Sequence, residues 1–330
     1  MFRFKSINKI KMLILTMLLF QVVTITAVSA QDDPNFEIPS TLISSGGGMV
    51  NMPMVPRADG TKDQWPKWEL REVDDSVYSF RSGLHRSMFV ITDEGVVLVD
   101  PMRTWSTEIL LDEIRKLTDV PVTHVIYTHN HLDHIRGGKP LQELQPQFIA
   151  HKLAAEAIGS FPHPEVVTPT QVWGGSKYEF TLGGEQFELH YLGPNHGTGM
   201  IFVGLPERKI MYITDVISPG RLPPGLMPDF SPRGEEETLE ILSKMDYERI
   251  VNGHEHAAVS GWDAITATLN FYRDVRVEVR KAMDKTGIDI APWEMVPFVE
   301  RLPKYENWRF YEQWYFQVAG RVVMEEYLAW

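Results

Sequence analysis

The feature that most constrains this chain is the segment THNHLDHIRGG at residues 128–138, which follows the apolar stretch VTHVIY. Three histidines and one aspartate occur there within six positions: His129, His131, Asp133 and His134. Side chains of these types are costly to crowd together unless a cation offsets their desolvation. Two histidines spaced H-x-H after a strand can converge on one ion, and Asp133 and His134 follow the next bend. The segment therefore predicts a metal site with a position for a second ion.

Cysteine is absent from the chain. Thiolates are thus excluded as metal ligands and as nucleophiles, and no disulfide can stabilise the fold. Histidine, aspartate and glutamate remain as ligands, a set that suits zinc, manganese or ferrous iron.

Three further candidate ligand residues follow predicted strands later in the chain. His196 lies in the Gly-rich turn LGPNHGTG, Asp215 follows MYIT, and His254 lies in VNGHEH. Together with the opening segment they place five histidines and two aspartates at successive strand ends, which predicts a common cleft.

Residues 1–30 have the layout of a secretory signal peptide. Four basic residues precede an apolar run that reaches Val28, and small residues stand just before Gln31. We expect cleavage near Gln31 and a periplasmic or secreted protein. An uncleaved membrane anchor is the alternative, because the run is nearly long enough to span a bilayer. No second run of that length follows, so stable membrane insertion after cleavage is not expected.

Cleavage also changes the charge of the protein. It removes four basic residues and leaves 28 basic against 44 acidic side chains, a formal net charge of −16. A surface this acidic repels phosphate backbones, so we expect a small-molecule substrate and no nucleic acid.

The remaining chain divides by composition. Residues 31–67 are rich in Pro, Gly and Ser and predict an irregular leader. Over residues 68–260 short apolar runs alternate with helical patterns such as 106–117 and 235–245. This order predicts an α+β core of sheets covered by helices. Residues 261–330 have helical spacing and many Trp and Tyr, and predict a helical segment that packs on the core.

The motifs together resemble those of the metallo-β-lactamase superfamily. That family has H-x-H-x-D-H, then a histidine in a Gly-rich turn, an aspartate after an apolar strand, and G-H near the end of the core. All four occur here in this order, between about residues 70 and 260. Arg136 departs from the pattern, since many members have glycine there, but it is not a ligand position. The resemblance implies a four-layer αββα sandwich with two zinc ions at one edge; iron and manganese are alternatives.

The resemblance also implies the ligands. The first ion would be held by His129, His131 and His196, the second by Asp133, His134 and His254, with Asp215 bridging them. Asp215 favours the glyoxalase II and lactonase branch, because many β-lactamases of the superfamily have Cys or Ser at that position. The implied function is an exported zinc hydrolase that uses a metal-bridging hydroxide on a small ester, lactone or thioester, with Asp133 carrying the proton.

Other functions stay open on the same ligands. They are a metallo-β-lactamase, an iron-dependent oxidase or sulfur dioxygenase, a hydrolytic dehalogenase, and a metal-holding binding protein without turnover. The aromatic C-terminal segment leaves a homodimer open.

Residues outside the ligand set also have predicted roles. Substrate contacts are expected from an early hairpin and from SPGRLPPGLMPDFSP at 218–232; the candidates are His85, Arg221, Leu226 and Phe230. For 218–232 a packed surface connection is the alternative. Asp100 and His256 are predicted to orient metal ligands.

Overall fold

The computed structural model of the protein describes residues 68–217, 220–225, 227–254, 257–287 and 289–328. The predicted signal peptide and leader lie outside the described residues, and so do the candidate site residues Leu226 and His256.

Seven strands form the first sheet, and they lie side by side in sequence order. They are β1 (Trp68–Asp74), β2 (Val77–Ser82), β3 (His85–Thr92), β4 (Gly95–Val99), β5 (Val122–Ile126), β6 (Gln147–His151) and β7 (Gln171–Trp173). Strands β1 to β4 pair antiparallel, whereas β4 to β7 pair parallel. Parallel neighbours need crossover connections. These contain α1 (Thr104–Leu117), α2 (Leu132–Ile135) with a 3-10 segment (Arg136–Leu144), and α3 (Lys152–Ser160).

Six strands form the second sheet, in the order β13-β12-β11-β10-β9-β8. They are β8 (Lys177–Leu182), β9 (Glu185–Tyr191), β10 (Ile201–Leu205), β11 (Ile210–Ile213), β12 (Arg249–Asn252) and β13 (Val259–Gly261); a 3-10 turn (Pro206–Arg208) joins β10 to β11. Only β11 and β12 pair parallel, and α4 (Pro232–Leu242) connects them.

The two sheets pack face to face. On β4, Val97 and Val99 point toward the second sheet and share a core with Tyr212, whereas Val96 and Leu98 point outward, into the core that the α1 residue Leu110 shares. This alternation follows from the two-residue period of a strand, and a strand buried on both faces is apolar throughout.

The C-terminal helices cover the outer face of the second sheet. They are α5 (Asp263–Thr286), α6 (Pro292–Met295) and α7 (Tyr311–Leu328), with 3-10 turns at Val296–Phe298 and Pro303–Tyr305. Val275 and Tyr315 from these helices share a core with Met211 and Ile213 of β11. The predicted αββα architecture with C-terminal helices is confirmed. No described helix has the length and apolar character that crossing a membrane requires.

Element boundaries differ from the prediction at several places. The helix predicted at 235–245 runs from Pro232 to Leu242, because the Ser231 side chain accepts a hydrogen bond from the Gly234 amide and caps its start. Strands β1, β7 and β13 were not predicted: β1 is rich in charged residues, and the other two have three residues each.

Candidate metal centre

The opening motif connects the end of β5 to the 3-10 segment. The side chains of His129 and His134 are fully buried, that of His131 is partly buried, and Asp133 keeps 43% of its side-chain surface exposed. The one-turn helix α2 carries Asp133 and His134, whereas His129 and His131 precede it. The motif therefore presents four candidate ligand residues at one edge of the first sheet.

The second sheet supplies three more. His196 lies between β9 and β10, and Asp215 and His254 each come two residues after a strand. Since Ile213 pairs with Asn252 in the parallel strands β11 and β12, the chain delivers Asp215 and His254 side by side. Asp215 Oδ1 lies 2.8 Å from His254 Nε2.

Backbone conformation at these strand ends is unusual. Asp215 adopts a positive φ of 60°, which aspartate tolerates better than most residues. Gly253, just before His254, is packed so closely that a Cβ there would lie 2.1 Å from Thr214 Oγ1. Only glycine allows β12 to approach the Asp215 turn this closely.

The seven predicted ligands come together in the structure. Among the described residues, three groups of side chains have ligand atoms within 4.8 Å of one another: His129, His131 and His196; His129, His134 and Asp215; and His85, Asp133, His134 and His254. Asp215 is central, because its Oδ2 lies 3.4 Å from His129 Nε2 and 3.2 Å from His134 Nε2.

The donor atoms fit a bound cation. His129 Nε2 is buried and has no hydrogen-bond partner among the described residues. The Nε2 atoms of His134 and His254 face each other at 2.9 Å. A hydrogen bond between these two rings leaves His129 Nε2 unsatisfied, whereas a cation at the site would accept its lone pair.

The charges of the site set the protonation of its ligands. Burial would raise the pKa of Asp215, but His254, His134 and His196 hold it well below its ordinary value. Burial, together with His131 and His134, lowers the pKa of His129 well below its ordinary value. Asp215 and His129 thus have the protonation that metal binding requires. Burial would lower the pKa of His134, but Asp215 and Asp133 raise it well above its ordinary value, so a bound metal would have to displace that proton.

Asp100 lies beneath the motif and is fully buried. Its Oδ1 accepts from the Thr128 amide (2.9 Å), and its Oδ2 accepts from Thr128 Oγ1 (2.8 Å) and Tyr212 Oη (3.2 Å). His134 Nδ1 also lies 3.2 Å from Oδ2. Through such a contact a carboxylate can fix the ring of a ligand histidine, which is the role predicted for Asp100.

His85, at the start of β3, lies inside the site. Its Nε2 is 2.9 Å from Asp133 Oδ2, and its ring centre is 4.6 Å from that of His254. Burial and His254 lower the pKa of His85 to about 3, so the neutral ring donates to Asp133. The position supports a role in orienting Asp133, and the substrate contact of His85 stays a prediction.

One carboxylate at the site was not predicted. Asp229, in the Pro-rich segment (residues 218–232), has a carboxylate oxygen 2.7 Å from His131 Nε2, which leaves Nδ1 as the candidate ligand nitrogen of His131. No local pattern in the segment indicates this contact, because its partner His131 lies 98 residues earlier in the sequence.

The Pro-rich segment differs from its predicted role in one respect. Phe230 is only 1% exposed and packs near Tyr272, so it is a core residue and not the wall of an open pocket. The backbone of Arg221 pairs with that of Arg309, which ties this segment to the C-terminal region.

An apolar recess adjoins the ligands on another side. Its volume is about 390 Å³, and it is lined by Asn130, His131, Leu132, Asp133, Ile135, Ala157, Ile158, Phe161 and Val166. Leu132 and Phe161, which are 42% and 83% exposed, give the recess two accessible apolar side chains beside the polar ligands.

Comparisons with known proteins agree with this fold and site. Residues 81–254 match the family model described as the metallo-beta-lactamase superfamily. The alpha subunit of a 2,4-dinitroanisole O-demethylase from Nocardioides sp. (strain JS1661) is 31% identical over 196 residues, which cover 58% of this chain and 59% of that relative. Metallo-beta-lactamase IND-1 of Chryseobacterium indologenes is 29% identical over 126 residues, which cover 38% of this chain and 51% of the relative. The chain thus spans between half and three fifths of the length of these relatives.

A solved structure shows the same fold. A metallo-beta-lactamase from Pontibacter korlensis superposes with a TM-score of 0.57 at 21% identity, over 63% of this chain and 99% of that one. The curated relatives are named for reactions they catalyse, in agreement with the prediction of an enzyme. Since the family model matches more than half of the 330 residues and its motifs meet in one site, the chain belongs to the metallo-β-lactamase superfamily.

Proposed function

We propose that this protein is an exported hydrolase that holds two zinc ions with Asp215 between them and cleaves a small ester, lactone or thioester. The observation that carries the proposal is the position of Asp215. One of its oxygens lies 3.4 Å and 3.2 Å from His129 and His134, and the other lies 2.8 Å from His254. A carboxylate turned toward two histidine groups supports the Asp-bridged branch of the superfamily.

His129, His131 and His196 would hold one ion, and Asp133, His134 and His254 the other. When bound, such ions would supply a water activated at neutral pH and would polarise the substrate oxygen. Asp133 is the most exposed ligand, and His85 fixes its orientation. Its carboxylate can therefore take a proton from the attacking water and return it to the leaving group.

The apolar recess supports a substrate with an apolar part. Its volume of about 390 Å³ lies at the small end of ligand pockets, enough for a single ring or a short acyl chain. Because His131 and Asp133 form part of its wall, a group bound there would place its reactive bond beside the ligands.

The O-demethylase relative favours a second candidate, the cleavage of an aryl methyl ether. Water would add at the ring carbon that carries the methoxy group, and methanol would leave, so that ether and water give a phenol and methanol. Electron-withdrawing ring substituents would hold the negative charge during addition, and the recess accommodates a ring of this size.

The first test is metal content of the protein from Gln31 onward, together with hydrolysis of a panel. The panel contains an aryl ester, a lactone, a thioester, 2,4-dinitroanisole and a chromogenic cephalosporin. We expect about two zinc ions per chain and turnover of one class, with activity lost in Asp215→Asn. Asp112→Asn, on the exposed face of α1, is the matched control and should keep full activity. Iron in place of zinc with no hydrolysis of any substrate would overturn the proposal, and turnover of dinitroanisole alone would select the second candidate.

The recess is tested separately. Phe161→Ser should raise KM several-fold for substrates with an apolar group and leave kcat nearly unchanged, because it removes binding shared by ground and transition states. Phe298→Ser changes another exposed phenylalanine and should have no effect. Equal KM values in both variants would show that the recess does not bind the substrate.

Export rests on the basic and apolar layout of residues 1–30. The intact mass of protein recovered from the periplasm or medium should correspond to a start near Gln31. A full-length mass in the membrane fraction would instead favour the anchor.

A further inference from the structure

A buried carboxylate behind the site has no role in the ligand set. Glu235, in the first turn of α4, is fully buried. Its Oε2 accepts a hydrogen bond of 2.5 Å from the Tyr272 hydroxyl, while its Oε1 has no hydrogen bond among the described residues. A buried carboxylate oxygen without a hydrogen bond is energetically costly, so we expect Oε1 to have a partner in the functional state.

The neighbour of that oxygen is a candidate metal ligand. His196 Nδ1 lies 3.6 Å from Glu235 Oε1 and is itself buried without a hydrogen bond within the described structure. The other ring nitrogen of His196, Nε2, faces Asp215 at 4.0 Å. The ring therefore stands between the candidate metal centre and the buried carboxylate, with one nitrogen toward each.

We propose that Glu235 is a positioning residue for His196, an inference that rests on the metal site proposed above. A small rotation closes the 3.6 Å gap, and Nδ1–H then donates to Oε1. This hydrogen bond fixes the tautomer in which Nε2 carries its lone pair toward the ion, and it increases the basicity of Nε2. Tyr272 holds the other carboxylate oxygen, so the glutamate cannot turn away.

The contact links the C-terminal helices to the metal centre. Tyr272 belongs to α5, and Glu325 of α7 anchors the start of α4 by accepting from Ser231 Oγ at 2.9 Å and from the Arg233 amide at 3.0 Å. Arg276 of α5 lies 3.3 Å from the same Glu325 carboxylate. The helices after residue 261 thus fix the turn that presents Glu235, in addition to covering the second sheet.

The experiment compares two changes at Glu235 in the full mature protein. Glu235→Leu removes the acceptor at nearly constant volume, and Glu235→Gln keeps an acceptor but removes the charge. We measure zinc affinity by competition with a chromophoric chelator, the visible spectrum of the cobalt-substituted protein, and the Tm of the metal-free form. Glu240→Gln, on the exposed side of the same helix, is the matched control.

We expect one zinc-binding step to weaken about 10- to 100-fold in Glu235→Leu, with Glu235→Gln between it and the wild type. The cobalt spectrum should change in the same order, and Tyr272→Phe should shift both readouts in the same direction. Unchanged affinity and spectrum in all three variants, with only the Tm altered, would overturn the inference and leave Glu235 as a packing residue.

The design separates this inference from the proposed function. If wild-type protein binds zinc and hydrolyses substrate while the Glu235 variants bind zinc equally well, only the positioning role fails. If the wild type binds no metal, both fail. Should Glu235→Leu not fold, Glu235→Gln and Tyr272→Phe decide by the same two readouts.

Discussion

Replacing Asp100 by asparagine should weaken metal binding through the tautomer of His134. The carboxylate accepts on every side: Oδ1 from the Thr128 amide, and Oδ2 from two hydroxyl groups and from His134 Nδ1. Asparagine can keep its oxygen toward the Thr128 amide, and its NH₂ group then faces His134. If the amide were flipped, its NH₂ group would face the Thr128 N–H, and two donors would then oppose each other without an acceptor.

The consequence falls on one ring. Facing an NH₂ donor, His134 Nδ1 must accept, and the proton moves to Nε2, which is the atom 3.2 Å from Asp215. A protonated Nε2 cannot bind an ion. Loss of a carboxylate that hydrogen-bonds a metal-ligating histidine typically lowers the metal affinity 10- to 100-fold. That range corresponds to about 1.4–2.8 kcal/mol of binding free energy.

The measurement is zinc competition against a chromophoric chelator at neutral pH. Asp112→Asn is the control, because its side chain is exposed on α1 and forms an ion pair with Arg115 at 2.9 Å. Circular dichroism of the metal-free proteins checks that Asp100→Asn folds. A folded Asp100→Asn protein with wild-type zinc affinity would refute the tautomer argument.

Three further predictions concern stability. Gly253→Ala should lower the free energy of unfolding by about 1–3 kcal/mol, and with it the Tm, because the new Cβ would lie 2.1 Å from Thr214 Oγ1. Gly159→Ala is the control and should not lower the Tm, because a Cβ there meets nothing within 4 Å. Burial would raise the pKa of Glu69, but Arg86 and Arg71 lower it, so its stabilising effect is present above the unfolded pKa and lost as the pH falls through the folded value. Glu69→Gln should therefore lower the Tm at neutral pH and match the wild type in acid; an equal difference at both pH values would contradict this. Removing metal with a chelator should lower the Tm, and zinc at about 1,000 times its Kd should restore about 4 kcal/mol; a Tm insensitive to zinc would exclude a folded-state site.

Local patterns predicted ten of the thirteen described strands and the candidate ligands. Runs such as GVVLVD are apolar because β4 is buried on both faces, and this information is contained in the run itself. The ligands were predictable because each follows a strand closely, within a short motif, and strand ends meet at an edge of their sheet.

Contacts between distant segments were not predictable in the same way. Asp229 and Glu235 are two of 44 acidic residues, and nothing in their neighbours indicates that a histidine elsewhere in the chain faces them. Phe230 shows the converse: an apolar residue in a Pro-rich segment fits a pocket wall or a core equally well until the packing of α5 is known. An aryl ether was not among the predicted substrates, because the ligand set selects the attacking water and not the bond.

The division of the candidate ligands between the two sheets bears on how the protein acquires its metal. Each of the three ligand groups combines residues of the first sheet with a single residue from the second: His196, Asp215 or His254. Neither sheet alone therefore offers a complete group. The full set of ligands would therefore be available to zinc only after the sheets have docked. The gain of tight zinc binding during refolding would report that event.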